Sequence, residues 1–198
     1  MPGRPVILLF YSIMFFTERF ILFGILSVPV IIISWRALFN AKNHGFYRFF
    51  SWECIIWLFV SNYRYWFIDP LSVRQIISWF LLIVSAYLII SGVLTMKKMG
   101  KSSNKRNDNT LYQFEKTTEL VDKQIFSYIR HPLYSSLLFL TWGIYCKHLT
   151  WLELIVALLS TIFLYLTALN DEKECLKTFG DKYEQYKKRT KRFIPFVI

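Results

Sequence analysis

The sequence predicts an all-α, polytopic membrane protein of about five transmembrane helices, followed by a cytosolic amphipathic C-terminal helix. Three observations predict it. Of 198 residues, 55% are hydrophobic and 19% aromatic, more apolar surface than a soluble domain of this size can hide. The apolar residues fall in runs near the roughly 20 residues that a bilayer crossing needs. The basic residues, which bring the formal net charge to +11, lie between those runs, so anionic lipid headgroups are the expected partner and nucleic acid is not. The chain is read as one integral membrane domain, 1–198.

The first apolar stretch, Pro5 to Trp35, is too long for one untilted crossing and contains Glu18 and Arg19. It predicts one long, tilted helix with a kink near Pro29; the alternative is a short interfacial helix over 5–16 followed by a span over 20–38. Arg4 precedes this stretch but no small-x-small cleavage site follows, so it is read as mature structure rather than a signal. Further spans are expected at Phe50–Ile68, Gln75–Met96, Leu133–Cys146 and Thr150–Leu169. The Lys147-His148 connection is so short that the last two form an antiparallel hairpin. The polar, turn-rich stretch over 97–118 is expected to be a loop and a candidate lid. After Leu169 an amphipathic helix is expected, with Leu176, Phe179, Tyr183 and Tyr186 on one face.

Counting Lys and Arg places 19 in the loops of one side, at 36–48, 97–130 and 173–192, against four on the other, Arg4, Arg64, Arg74 and Lys147. The positive-inside rule then puts the C-terminus in the cytosol and the N-terminus outside, as five crossings require. The membrane expected is a bacterial inner membrane or the endoplasmic reticulum. Cys54, Cys146 and Cys175 have no paired spacing, and His44, His131 and His148 are scattered, so neither a disulfide framework nor a metal site is expected. Glu18, Arg19, Glu53 and Arg64 inside or beside spans are read chiefly as interhelical hydrogen-bonding or snorkelling groups.

Polar chemistry is concentrated in two places. Arg130-His131-Pro132-Leu133-Tyr134 stands at the mouth of the fourth span. Pro132 suits the first turn of a helix, where its missing N–H is not needed, so free N–H groups and the positive helix end lie beside Arg130 and His131. Asp171 and Glu172 follow the fifth span, and the hairpin brings them to the same end. A positive helix end, a guanidinium, an imidazole and two carboxylates together suit a zwitterion such as an amino acid. Ionisable groups at a membrane edge are costly, which makes the pair of clusters a candidate functional site.

The pattern Leu120-Val121, Tyr128, Arg130-His131-Pro132, Tyr134, Asp171-Glu172, Phe179-Gly180, Tyr183, Tyr186, Phe193 and Pro195 resembles the isoprenylcysteine carboxyl methyltransferase family, which is itself similar to phospholipid N-methyltransferases. The resemblance covers residues 118–196. It implies S-adenosylmethionine as cofactor, with Leu120, Val121 and Phe126 lining its pocket and Arg130, His131, Pro132, Leu133 and Tyr134 contacting it. It further implies that Asp171 and Glu172 hold the cofactor's methionine ammonium, and that a lipophilic substrate enters sideways from the bilayer. His131 or Glu172 would be the catalytic proton acceptor if the nucleophile is an amine; a carboxylate nucleophile needs none. Four features depart from the family: Gln124-Ile125-Phe126 replaces a Gly-Pro-Tyr-like segment, Ser136 stands where Gly is common, the acidic pair is Asp171-Glu172 where Glu-Glu is usual, and Thr167 stands where an Arg commonly serves the substrate carboxyl. The expected reaction is carboxyl methylation of an isoprenylcysteine or similar acceptor. Phospholipid amine methylation and small-thiol methylation are its alternatives, and a nicotinamide-dependent membrane reductase or a non-enzymatic scaffold stand further off.

Overall fold

The structure, a computed structural model, describes residues 4–41, 43–100 and 119–195. Five longer helices form the bundle: α1 (Arg4–Leu38), α2 (His44–Asn62), α3 (Val73–Met99), α4 (Pro132–Tyr145) and α5 (Trp151–Phe179). The short α6 (Asp181–Arg189) follows α5. Among the described residues, three helices are long and apolar enough to cross a membrane: Phe16–Leu38, Val73–Met99 and Trp151–Phe179. At 1.5 Å per residue, α4 with its 14 residues spans only about 21 Å, short of a hydrocarbon core of about 30 Å.

Each start has a local cause. Asn43 caps α2 by accepting from the Gly45 N–H at 2.7 Å. Ser72 caps α3, Thr150 caps α5, and Pro132 opens α4 at the expected position. Pro29 lies inside a helix that stays continuous from Arg4 to Leu38. The second helix starts six residues earlier than expected, at His44, because Asn43 supplies the cap, and it gives way to a 3-10 turn at Tyr63–Tyr65. The fifth helix does not end at Leu169. It runs on to Phe179, so Asp171 and Glu172 are helical residues rather than the start of a tail. Gly180, at φ +54°, then breaks the expected amphipathic helix in two. The candidate lid lies mostly outside the described residues, and its first residues, Lys97–Met99, belong to α3.

α4 is central, packing on α3, α5 and α2; α2 packs in turn on α5 and α1. Small residues recur on α3 at every seventh position, Ser78, Ser85 and Gly92. Ser78 Oγ donates to the Gly143 carbonyl at 2.6 Å, Ser85 Oγ donates to the Ser136 carbonyl at 2.7 Å, and Gly92 sits against Leu133. Close backbone approach through small residues, sealed by interhelical hydrogen bonds, is how helices associate where water gives no hydrophobic drive. A buried hydroxyl cluster, Ser51–Ser160 at 3.0 Å and Thr141–Ser160 at 3.1 Å, joins α2, α5 and α4 at mid-height. The polar residues of the first two helices pair between elements. Glu18 accepts from Tyr63 and Arg64, Arg19 donates to the Ser61 carbonyl, and Ser27 donates to Glu53.

The end of the bundle remote from Arg130-His131 is closed by Lys147. Its side chain is fully buried, Nζ donates to Gln75 Oε1 at 2.9 Å, and it lies 3.5 Å from the centroid of the Trp79 ring. Gln75 in turn donates to the carbonyls of Tyr65 and Ile68. The short connection expected between α4 and α5 is therefore a packed corner.

The α3–α4 seam has no room to spare. A Cβ on Gly143 would fall 2.9 Å from Leu82 Cδ2 and 3.3 Å from the Leu82 nitrogen. Gly143→Leu should cost about 1–3 kcal/mol by overpacking, whereas Ser85→Ala should cost about 0.6 kcal/mol. Detergent-driven unfolding in mixed micelles measures both; equal midpoints for the two variants would show that the seam is not tight.

Candidate functional site

The segment before α4 is held by the chain's C-terminal part. Arg130 N–H donates to the Lys191 carbonyl at 2.7 Å, His131 N–H to the Arg192 carbonyl at 3.2 Å, and Lys191 N–H to the Tyr128 carbonyl at 3.1 Å. Ser135 Oγ donates to the Phe193 carbonyl, and Tyr186 OH to the Phe126 carbonyl. These bonds fix the Arg-His-Pro segment against α6 and the residues after it, and a cavity lies between this segment, α6 and the end of α5. It is a half-open cavity, with about 100 Å³ available to the centres of water molecules and about 700 Å³ of empty space when the open solvent at its mouth is included.

Nine of the ten positions expected to bind a cofactor line this one cavity: Leu120, Val121, Phe126, Arg130, His131, Pro132, Leu133, Tyr134 and Asp171. Met96, Cys175, Phe179, Tyr183 and Tyr186 complete it. Leu176, expected on the same face as Phe179, is not among the lining residues.

Glu172 is the tenth, and it stands behind the wall. Its carboxylate takes Arg192 Nε at 3.0 Å and Nη2 at 3.1 Å, and Arg130 Nε at 3.1 Å, with only 4% of the residue exposed. Arg130 also donates to the carbonyls of Lys187 and Thr190. A carboxylate enclosed by two guanidinium groups is a structural ion cluster. Asp171 is the carboxylate that faces the cavity. His131 stands between the two, its Nδ1 3.4 Å from Asp171 and its Nε2 3.4 Å from Glu172, with its ring stacked on Tyr134. Burial alone would lower the His131 pKa, but the two carboxylates outweigh it and hold the ring above the ordinary imidazole value.

Two of the residues assembled here carried no signal in the sequence. Arg192 lies in a basic tail that reads as a solvated charge run. His44 is one of three scattered histidines, yet it is fully buried at the start of α2. Its Nδ1 lies 2.7 Å from Glu174 Oε2 and its backbone N–H donates to Glu174 Oε1 at 3.1 Å. Glu174 does not make the intrahelical pair with Lys177 that its spacing allows. His44, Asp171 and Glu174 bring potential ligand atoms within 4.8 Å of one another; the two bonds from His44 already engage Glu174.

The donor set fits a zwitterionic, nucleoside-bearing sulfonium. Apolar and aromatic walls from Val121, Phe126 and Phe179 suit a base, Asp171 suits an ammonium or sulfonium, and Arg130 with His131 suits a carboxylate. The Tyr183 hydroxyl is buried on the cavity wall with no hydrogen-bond partner, an unmet need that a polar ligand would satisfy.

The fold and the site define a helical, membrane-type protein with a cavity of mixed polar, aromatic and apolar lining at one end of its bundle. The chain belongs to the phospholipid methyltransferase family, whose sequence profile matches residues 73–182. It is 29% identical over 72 residues to methanethiol S-methyltransferase 1 of Bradyrhizobium diazoefficiens, covering 36% of this chain and 25% of that protein. It is 31% identical over 72 residues to methanethiol S-methyltransferase of Crocosphaera subtropica, 36% of this chain and 28% of that one. The Pseudomonas deceptionensis methanethiol S-methyltransferase matches at 31% over 71 residues, 36% of this chain and 26% of that relative. The chain thus spans about a quarter of the length of the curated relatives it matches. No solved structure matches it.

The two acidic neighbours should separate on mutation. Glu172→Gln leaves the half-buried Arg130 and Arg192 without their counter-charge and should cost about 3 kcal/mol of stability. Asp171→Asn should keep the fold and lose cofactor binding. Thermal unfolding paired with calorimetric titration of S-adenosylmethionine checks this, and a fully folded Glu172→Gln would contradict the ion-cluster assignment. The two buried histidines also set a pH dependence. The pKa of each is raised above 6.5 in the fold, so their stabilisation is complete below about pH 6.5 and fades as pH rises through the folded values. His131→Gln should flatten part of that decline; an unchanged slope in pH-dependent thermal unfolding would contradict it.

Proposed function

We propose that the protein is an S-adenosylmethionine-dependent methyltransferase embedded in the membrane by five helices, with its cavity at the cytosolic face and its N-terminus outside. The observation that carries this reading is the convergence of nine of the ten expected cofactor positions, from two distant segments, on one cavity. The family match supports methyl transfer as the reaction class. S-adenosylmethionine would supply the methyl group on a sulfonium, open to in-line attack.

The residues of the chain bind and orient. Asp171 holds the ammonium, Arg130 and His131 face the carboxylate, and Phe126 and Phe179 pack on the base. Tyr134 keeps the His131 ring in place by stacking, and the Glu172 cluster keeps the wall that carries them rigid. Displacement at a methyl carbon depends on positioning and on exclusion of water, which an apolar-walled cavity at a bilayer edge provides.

The acceptor that fits best is a neutral nucleophile, foremost a small thiol. Thr167, standing where a substrate-binding Arg would be, is fully buried and donates to the Phe163 carbonyl, so that position offers no cation to a carboxylate acceptor. The relatives named for methanethiol favour the thiol. The family's description favours a phospholipid amine as the second reading, and an isoprenylcysteine carboxylate is the least supported of the three.

The test is transfer of labelled methyl from S-adenosylmethionine by the full chain in lipid nanodiscs. Methanethiol, phosphatidylethanolamine and a prenylcysteine are offered separately. Volatile labelled thioether is the expected product. Label on the lipid amine, or base-labile label on the prenylcysteine, would replace the thiol by that acceptor, and no transfer to any of the three would overturn the assignment.

A further inference from the structure

A buried hydroxyl on the cavity wall has no partner within the protein. Tyr183 stands in the first turn of α6, just after the break at Gly180. It is 2% exposed, it lines the cavity, and its hydroxyl makes no hydrogen bond. The groups around it are engaged elsewhere. The Tyr186 hydroxyl donates to the Phe126 carbonyl, and the Cys175 thiol donates to Asp171 Oδ1 at 3.7 Å. Glu172 is taken by Arg130 and Arg192. A hydroxyl sealed from water without a partner destabilises the protein that carries it. A residue needed only to pack its ring against Tyr186 would do so as well without a hydroxyl. The cavity is the side from which a partner can arrive.

A zwitterionic ligand brings one. Its ammonium goes to Asp171. Its carboxylate needs hydrogen-bond donors, and the cations on the wall have few to spare. Arg130 gives Nε to Glu172 and Nη1 to the carbonyls of Lys187 and Thr190, and its Nη2 lies 3.0 Å from Glu172. The His131 ring is drawn to Asp171 and Glu172, 3.4 Å from each. Both cations lend positive charge to this end of the cavity, but their N–H groups are largely spent on the protein's own acceptors. We propose that the Tyr183 hydroxyl donates to the ligand's α-carboxylate, and so selects a sulfonium that bears an amino acid over one that lacks the carboxylate. This rests on the reading of the cavity as the S-adenosylmethionine site.

The chemistry of the phenol suits the role. Burial pushes its pKa up, Cys175, Asp171 and Glu172 push it further, and Arg130 offsets them only in part. Tyr183 therefore stays a neutral O–H donor and sets no negative charge of its own beside the ligand carboxylate. A bond from a hydroxyl to a carboxylate is charge-assisted, stronger than one between two neutral groups. One hydroxyl then has two effects of opposite sign. In the empty protein it is a buried group without a partner, and removing it relieves that cost. In the loaded protein it holds the ligand, and removing it loses a bond.

Wild type and Tyr183→Phe, each as the full chain in lipid nanodiscs, separate the two effects. Calorimetric titration uses S-adenosylmethionine and its decarboxylated analogue, which keeps the sulfonium and the amine. Tyr183→Phe should bind S-adenosylmethionine about 10-fold more weakly than the wild type does. It should bind the decarboxylated analogue as tightly as the wild type. The empty variant should unfold thermally at the wild-type midpoint or above it, while the rise in midpoint on adding S-adenosylmethionine should shrink. Equal weakening towards both ligands, or unchanged affinity for S-adenosylmethionine, would overturn the assignment. A lower midpoint for the empty variant would overturn it too, because the hydroxyl would then have a partner inside the protein. A wild type that binds neither ligand would remove the cofactor reading and this role of Tyr183 with it, a result distinct from one in which the wild type binds and the variant alone departs.

Discussion

Two guanidinium groups from opposite ends of the C-terminal half meet on the carboxylate of Glu172. Arg130 reaches it from the segment before α4, Arg192 from beyond α6, and Glu172 itself sits on α5. Each charge would be costly alone at this depth, and together they satisfy one another. The cluster joins three segments that backbone bonds between 128–131 and 191–192 and the packing of Phe193 with Tyr134, Leu164 and Ala168 also hold together. The cavity is the space these segments enclose, so its shape follows from the ion cluster together with those bonds and that packing. Adjacent acidic residues on one helix thus have different tasks: Glu172 builds the wall and Asp171 presents a charge to the space inside.

The rest of the bundle aims the two helix ends that carry the chemistry. The seam of Ser78, Ser85 and Gly92 against Gly143, Ser136 and Leu133 sets the height of α4 on α3, and so the height of His131 beside Met96. The hydroxyl cluster around Ser160 sets α5 against α2, and so Asp171 and Glu174 beside His44. At the remote end, buried Lys147 locks the α4–α5 corner to Gln75 and Trp79. Every one of these contacts is polar or involves a small residue. That is the expected economy for helices whose outer faces are covered by lipid, where large apolar side chains such as Ile25, Ile32, Ile83 and Ile155 point outwards.

Much of this was legible in the sequence. Hydrophobic run length gave the helices, Pro132 gave the start of α4, and the brevity of the Lys147-His148 connection brought Arg130-His131 to the same end as Asp171-Glu172. Helix ends were less legible, because they depend on caps and on burial of polar residues: Asn43 starts α2 early, and α5 continues past Leu169 because its acidic pair is neutralised by partners distant in sequence. The separate roles of Asp171 and Glu172 were hidden for the same reason. Nothing local distinguishes two adjacent carboxylates until Arg192 closes on one of them. The seven-residue recurrence of small residues on α3 was present in the sequence as a packing signal, but is weak unless its partner helix is known. His44 had no signal at all, since its significance lies in Glu174, 130 positions away.

The central claim is that the cavity between the Arg-His-Pro segment and the end of α5 holds the cofactor. S-adenosylmethionine cross-links to adjacent side chains under ultraviolet light, so irradiation of the labelled complex in nanodiscs, followed by peptide mapping, reads its position directly. Label on peptides from 119–134 or 171–186, abolished by excess S-adenosylhomocysteine, is the predicted result. Competable label on the remote end of the bundle, around Gln75 and Lys147, would contradict it.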